Sequence, residues 1–235
     1  MVPDVIESLP EIRERRTPIA GVLEGRLWML VSGTLLTLVI LERWVLSVHS
    51  FGFDVWAAHV GMSHKAWPIW DITRVYQQVG RPLVAIGEVL VMFAWLWRRA
   101  GRLTALGLGI VLVASVINGV IKIICGPTPL WQVLPHHVGT NFPSGVVTFM
   151  TASVGYVALV ALRLGRRRMG VLLAIAIVGA GPARVVGGQH LISDVFGAYM
   201  LGSAWLIVGH AYLRKLSQTV EGEPAWQVAA VEATA

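Results

Sequence analysis

The sequence predicts an all-α membrane protein: a six-transmembrane-helix bundle, with interfacial helices between the first and second spans. Three observations predict it. Of the 235 residues, 55% are hydrophobic and only 14% charged, with a mean hydropathy of +0.68; soluble domains carry about 25% charge. The apolar residues gather into six runs, most of them near the ~20 residues that a helix needs to cross hydrocarbon. Most of the 19 Lys and Arg residues fall in short clusters between runs, where membrane topology puts them.

Residues 1–26 carry charges and prolines and no apolar signal-peptide core. They are read as a cytoplasmic segment, which makes the first run, Leu27–Val48, a retained helix. His49–Gly80 places Trp56, Trp67, Trp70 and Tyr76 among polar residues. That mix fits interfacial helices at the outer headgroup level, and equally a loop with aromatic-belt anchors. The later runs are Pro82–Trp97, Leu103–Ile124, Ser144–Leu164, Met169–Pro182 and His190–Tyr212. The second and fifth are short, but the flanking charges require both to span. Arg13, Arg15, Arg16 and Arg26 precede the first run. Arg98, Arg99 and Arg102 separate the second from the third, and Arg163, Arg166, Arg167 and Arg168 separate the fourth from the fifth. Arg214 and Lys215 follow the sixth. If all six runs cross, these clusters share one side. The positive-inside rule then makes both termini cytoplasmic and turns loops 125–143 and 182–190 outward. The membrane domain is residues 27–213; residues 214–235 are a cytoplasmic tail, expected to be disordered from Ser217.

The net charge of +6 and pI near 10.1 are accounted for by these clusters, and no nucleic-acid motif accompanies them. No nucleic-acid partner is expected. The single Cys125 excludes an intrachain disulfide and a cysteine-cluster metal site.

The chemistry-bearing residues converge on the outer side. Arg184-Val-Val-Gly-Gly-Gln-His190-Leu-Ile-Ser-Asp194 packs a cation, an imidazole and a carboxylate into one short stretch. Asp194 is the only carboxylate between Glu88 and Glu221, so a site here suits an anion. A helix starting near His190 would stack His190 and Asp194 on one face. Lys122 ends the third run, and Pro143-Ser144-Gly145 opens the fourth, where free N–H groups and the helix dipole attract anions. Lys122 and Arg184 can neutralise phosphate oxygens, Arg184 in a bidentate manner. His190 can attack phosphorus, with Asp194 fixing its tautomer. Singly, each has a plainer reading: a snorkelling lysine, an N-cap serine, a packing histidine, a structural Arg184–Asp194 pair. Together, on one face of an acid-free stretch, they predict a phosphate site. The scarcity of acids argues against Mg²⁺ or Ca²⁺, and no metal or cofactor is expected.

These residues resemble the signature of the type-2 phosphatidic acid phosphatase superfamily. Its third motif is Ser-Arg, five residues, His, three residues, Asp; Ala183-Arg184, His190 and Asp194 match apart from the alanine. Its second motif, Pro-Ser-Gly-His, stands as Pro143-Ser144-Gly145-Val146. Its first motif, Lys, six residues, Arg-Pro, begins at Lys122 and reaches Pro129 without the arginine. The resemblance implies a metal-independent, six-helix lipid phosphatase in which His190 is the nucleophile and forms a phospho-histidine, and Asp194 orients it. Lys122, Ser144, Gly145 and Arg184 hold the phosphate. It also implies a membrane lipid phosphate as substrate and, with the Arg-rich inner loops, the inner (plasma) membrane of a bacterium. Two departures bear on function. Val146 cannot donate a proton, and no arginine lies between Arg102 and Arg163. A lipid diphosphate, whose leaving phosphate has a second pKa of ~6, tolerates the loss of a general acid better than a monophosphate. The expected activity is therefore hydrolysis of an isoprenoid or other lipid diphosphate. Two alternatives stand beside it: a weak or inactive lipid-phosphate binding protein, and a phosphotransferase using the same histidine. His136 and His137, just before Pro143, are candidate substitute acids, although a solvent-facing loop pair is the plainer reading.

Overall fold

The computed structural model describes residues 25, 28–38, 52–63, 69–79, 81–126 and 142–222. Among these residues every regular element is helical. The helices are α1 (Trp28–Leu38), α2 (Gly52–Ser63), α3 (Ile69–Val79), α4 (Pro82–Ala100), α5 (Arg102–Cys125), α6 (Gly145–Arg163), α7 (Arg167–Val186) and α8 (Ile192–Gly222). Four are long and apolar enough to cross a membrane: α5, α6, α7 and the 192–215 part of α8. A fifth is reached if α3 and α4, which meet at 76°, count as one span. The shorter α1 lies within the first predicted run, whose remainder is outside the described residues. The described residues are thus all-helical, and the chain is an integral membrane protein. Leu90, Val91, Val116, Ile123, Leu172 and Ile175 stand on exposed faces of α4, α5 and α7, a surface that suits hydrocarbon.

Burial differs sharply between spans. In α6, 78% of the apolar window is buried, against 22% in both α5 and α7. Helix α6 is therefore the centre of the bundle. Its Tyr156 is fully buried and donates to the Thr104 carbonyl at 2.9 Å, while Tyr212 of α8 donates to the Leu103 carbonyl at 2.9 Å. Arg166 lies over the Trp95 ring at 5.8 Å and Arg102 near the Trp97 ring at 6.0 Å. These contacts gather the start of α5, the start of α7 and the far part of α8 at one end. That end carries the arginine clusters.

Three boundaries differ from the sequence reading. Helix α8 begins at Ile192, so His190 precedes it, and the helix runs past Tyr212 and Ser217 to Gly222. Leu213, Arg214, Lys215, Leu216 and Gln218 are strong helix formers, and they carry it on. Helix α7 continues through Pro182 to Val186. An internal proline costs ~3 kcal/mol because it strands a carbonyl one turn back. Here Tyr199 of α8 mends the break. Its hydroxyl lies 2.8 Å from the Val178 carbonyl and 3.0 Å from the Ile177 carbonyl, and it accepts the Gly181 N–H at 3.0 Å. Only glycine admits that approach, since a Cβ on Gly181 would stand 2.7 Å from the hydroxyl. The residues predicted to lie between the first two spans supply α2 and α3. Tyr76 of α3 donates to the Ala176 carbonyl of α7 at 2.7 Å.

Candidate functional site

The end of the bundle opposite the arginine clusters is built from three connections. Lys122 lies in the last turn of α5. A Cβ on Gly145, the first residue of α6, would stand 3.3 Å from Lys122 Nζ and 3.5 Å from Asn118 Oδ1. Glycine here lets the lysine ammonium approach the N-terminus of α6. Asn118, one turn before Lys122, holds the preceding loop: its Nδ2 donates to the Pro143 carbonyl at 3.2 Å and to Thr148 Oγ1 at 3.0 Å. Thr148 Oγ1 in turn donates to the Ser144 carbonyl at 3.0 Å. The ring of Phe142, fully buried beside Leu38 and Leu201, anchors the loop from the other side.

Ser144 occupies the N-cap position of α6, but its side chain makes no capping bond. The plain N-cap role is therefore not the one it plays. Its N–H donates to the Asp194 carbonyl at 3.1 Å, joining this loop to α8.

Beyond Pro182, the Arg184 carbonyl accepts the N–H groups of Gln189 (3.0 Å) and His190 (3.3 Å), which folds the chain back as a tight turn. Arg184 and His190 are thereby held close. Helix α8 then starts, and Asp194 lies in its first turn. Asp194 Oδ2 is 3.2 Å from His190 Nδ1 and accepts the Leu191 N–H at 3.1 Å. The expected pairing is present, but its cause differs: the carboxylate reaches back from a helix start, as in a capping box, instead of stacking along a helix face. A carboxylate accepts, so the proton sits on Nδ1 and the lone pair on Nε2 is left for chemistry.

His190 is 7% exposed and Asp194 fully buried. Burial pushes the His190 pKa below the ordinary histidine value, and the charges of Arg184 and Lys122 push the same way. The hydrogen bond and charge of Asp194 oppose them. The imidazole is thus kept neutral, the form a nucleophile needs. Four buried polar atoms here have no hydrogen-bond partner among the described residues: Ser144 Oγ, Arg184 Nε, Gln189 Oε1 and Asp194 Oδ1. Each orphaned group costs about 1–3 kcal/mol. Each is a group that a polar ligand at this end of the bundle could partner.

The structure thus brings Lys122, Ser144, Gly145, Arg184, His190 and Asp194 to one end of the bundle. His136 and His137 lie outside the described residues. Val146 is buried in an apolar cluster with Val147, Met150, Ala180 and Val195, so its position offers no proton donor. Sequence reading missed three residues. Asn118 is a polar residue four positions before Lys122 in an apolar run, a signal that was available. Gln189 borders His190. Asp54, on α2, is 1% exposed and accepts the Ser193 N–H at 3.0 Å and the Ser193 hydroxyl at 2.9 Å. A second carboxylate therefore stands beside the dyad, brought from outside the acid-free stretch.

A family model described as the PAP2 superfamily matches residues 102–218. Among solved structures, the fold is similar to that of a transmembrane PAP2 type phosphatidylglycerolphosphate phosphatase from Bacillus subtilis. That match has 16% identity and a TM-score of 0.63, and it covers 79% of this chain and 96% of that one. No curated protein sequence matches the chain.

Proposed function

This chain belongs to the PAP2 superfamily, and we propose that it is a membrane lipid phosphatase acting on an isoprenoid or other lipid diphosphate. The observation that carries this reading is the buried His190–Asp194 pair, set beside Lys122, Arg184 and the N-terminus of α6. In the proposed reaction, His190 Nε2 attacks the terminal phosphorus. A nitrogen–phosphorus bond forms, the bridging phosphorus–oxygen bond breaks, and its electron pair leaves on the lipid monophosphate. Asp194 supports the positive charge that develops on the ring. Lys122, Arg184 and the Ser144–Gly145 segment hold the phosphoryl oxygens. Water then attacks phosphorus, releasing inorganic phosphate and free His190. No metal takes part in this scheme.

Val146 selects the substrate in this reading. A phosphate leaving group with a second pKa of ~6 departs without a proton, whereas an alkoxide from a monophosphate requires one. The same residue, with the lack of any arginine between Arg102 and Arg163, favours a second reading: a protein that binds a lipid phosphate without turning it over. A phosphotransferase passing the phosphoryl group from His190 to another acceptor is the third.

The site faces outward in this proposal, with both termini cytoplasmic in a bacterial plasma membrane. It rests on the arginine clusters at the opposite end. Thiol labelling of intact cells should reach a cysteine introduced at His137 and spare one at Arg167; the opposite pattern overturns the orientation. Phosphate release by purified protein from lipid mono- and diphosphates tests the activity. Turnover of diphosphates, lost in His190→Ala, is expected. Saturable binding without turnover, weakened by Arg184→Ala, establishes the binding-protein reading instead.

A further inference from the structure

We propose that Asp54 is a positioning residue for the His190–Asp194 pair, capping from a distant helix the turn that carries Asp194. The proposal rests on the reading of His190 as nucleophile. Leu191 is the N-cap of α8: its carbonyl accepts the Val195 N–H at 3.2 Å, and Ile192 opens the helix. An N-cap side chain ordinarily accepts the N–H of the second or third helical residue. Leucine has no acceptor. Asp194, the third residue, satisfies the Leu191 N–H, which leaves the Ser193 N–H, the second, without a local partner.

Asp54 takes that place. Its two oxygens accept the N–H and the hydroxyl of Ser193 at 3.0 and 2.9 Å, across a separation of 139 residues. Asp54 is 1% exposed and Ser193 4%, so bulk water is no substitute for either bond. The carboxylate also faces the positive end of the α8 dipole. Helix α2 rests on α7 and α8, with Asp54 and Ala57 buried and Phe53 and Trp56 turned outward. Asp54 fixes Ser193, Ser193 adjoins Asp194, and Asp194 sets the tautomer and direction of His190. A displacement of about 1 Å in such a constellation costs on the order of 10²-fold in rate.

The test uses the full chain in nanodiscs, with farnesyl diphosphate as substrate and ring ¹⁵N NMR of His190 as a second readout. Asp54→Ala should lower kcat on the order of 10²-fold with KM little changed, and shift the His190 Nδ1–H signal away from its hydrogen-bonded position. Asp54→Asn, which still accepts the Ser193 N–H, should recover most of both. Ser193→Ala, which keeps its N–H and loses only the hydroxyl, should fall between. If Asp54→Ala does not fold, the other two variants decide. A Ser193→Ala protein with wild-type kcat and an unmoved His190 signal overturns the proposal. So does an Asp54→Ala protein that changes only in thermal midpoint. If the wild type shows no turnover, the phosphatase reading fails by itself, and the NMR comparison still tests the role of Asp54.

Discussion

Asp194→Asn isolates the interaction on which the proposed nucleophilic catalysis by His190 depends. In the proposed reaction, phosphorylation of Nε2 makes the ring cationic where the charges of Lys122 and Arg184 already reach it. Asp194, 3.2 Å from Nδ1 and fully buried, is the carboxylate that offsets that charge. With charge centres about 4 Å apart and an effective dielectric of about 20, the attraction is ~4 kcal/mol. At 1.36 kcal/mol per decade, its loss lowers kcat by about 10³. Asparagine keeps the shape and can still accept the Leu191 N–H, so folding should survive. Its amide can also face the ring with a donor and favour the wrong tautomer, which adds to the loss. The assay is phosphate release under saturating lipid diphosphate, with thermal unfolding measured in parallel. A folded Asp194→Asn protein within about tenfold of wild-type kcat would refute this role for the carboxylate.

Three further outcomes are expected. Gly181→Ala and Tyr199→Phe should each destabilise the protein by about 1–3 kcal/mol in detergent unfolding, the first by crowding the Tyr199 hydroxyl and the second by removing the hydrogen bonds that mend α7 at Pro182; wild-type midpoints in both would remove Tyr199 from that role. Because burial and two cations lower the His190 pKa, its ring should stay neutral below the ordinary value of about 6.5 and protonate only at more acidic pH, with turnover falling as it does; ring ¹⁵N NMR showing a midpoint at or above that value contradicts the electrostatics described. In a Val146→His protein that folds with the ring accommodated in the apolar cluster around Val146, turnover of a lipid monophosphate should rise on the order of 10²-fold while diphosphate turnover changes much less; equal gains on both substrates would mean that leaving-group protonation does not separate them.

Hydropathy placed α5 and α6 to within a residue or two, because a membrane span needs a long apolar run whatever surrounds it. It failed where a tertiary contact rescues the backbone. The fifth apolar run ends at Pro182, whereas α7 continues to Val186 because Tyr199, from the next helix, mends the backbone there. The candidate site was legible to the extent that its residues are local. Arg184, His190 and Asp194 flank one short connection between α7 and α8, and the spacing of His190 and Asp194 announces a pair, although it arises from a helix cap and not from a helix face. Lys122 and Ser144 were found because both are polar residues at ends of apolar runs. Asp54 was not, since nothing in the 52–63 segment names Ser193 as its partner. The missing cap at Leu191 was the sole hint, and it becomes visible only once α8 is known to start at Ile192.

The proposed nucleophile can be observed directly. Purified protein is mixed with a lipid diphosphate labelled with ³²P at the terminal phosphorus, quenched in alkali within one turnover, and mapped by mass spectrometry. Label on His190 that forms and decays at the rate of phosphate release, and is absent in His190→Ala, is the predicted result. Phosphate release at an undiminished rate with no label on His190 at any time, or equal turnover by His190→Ala, contradicts it.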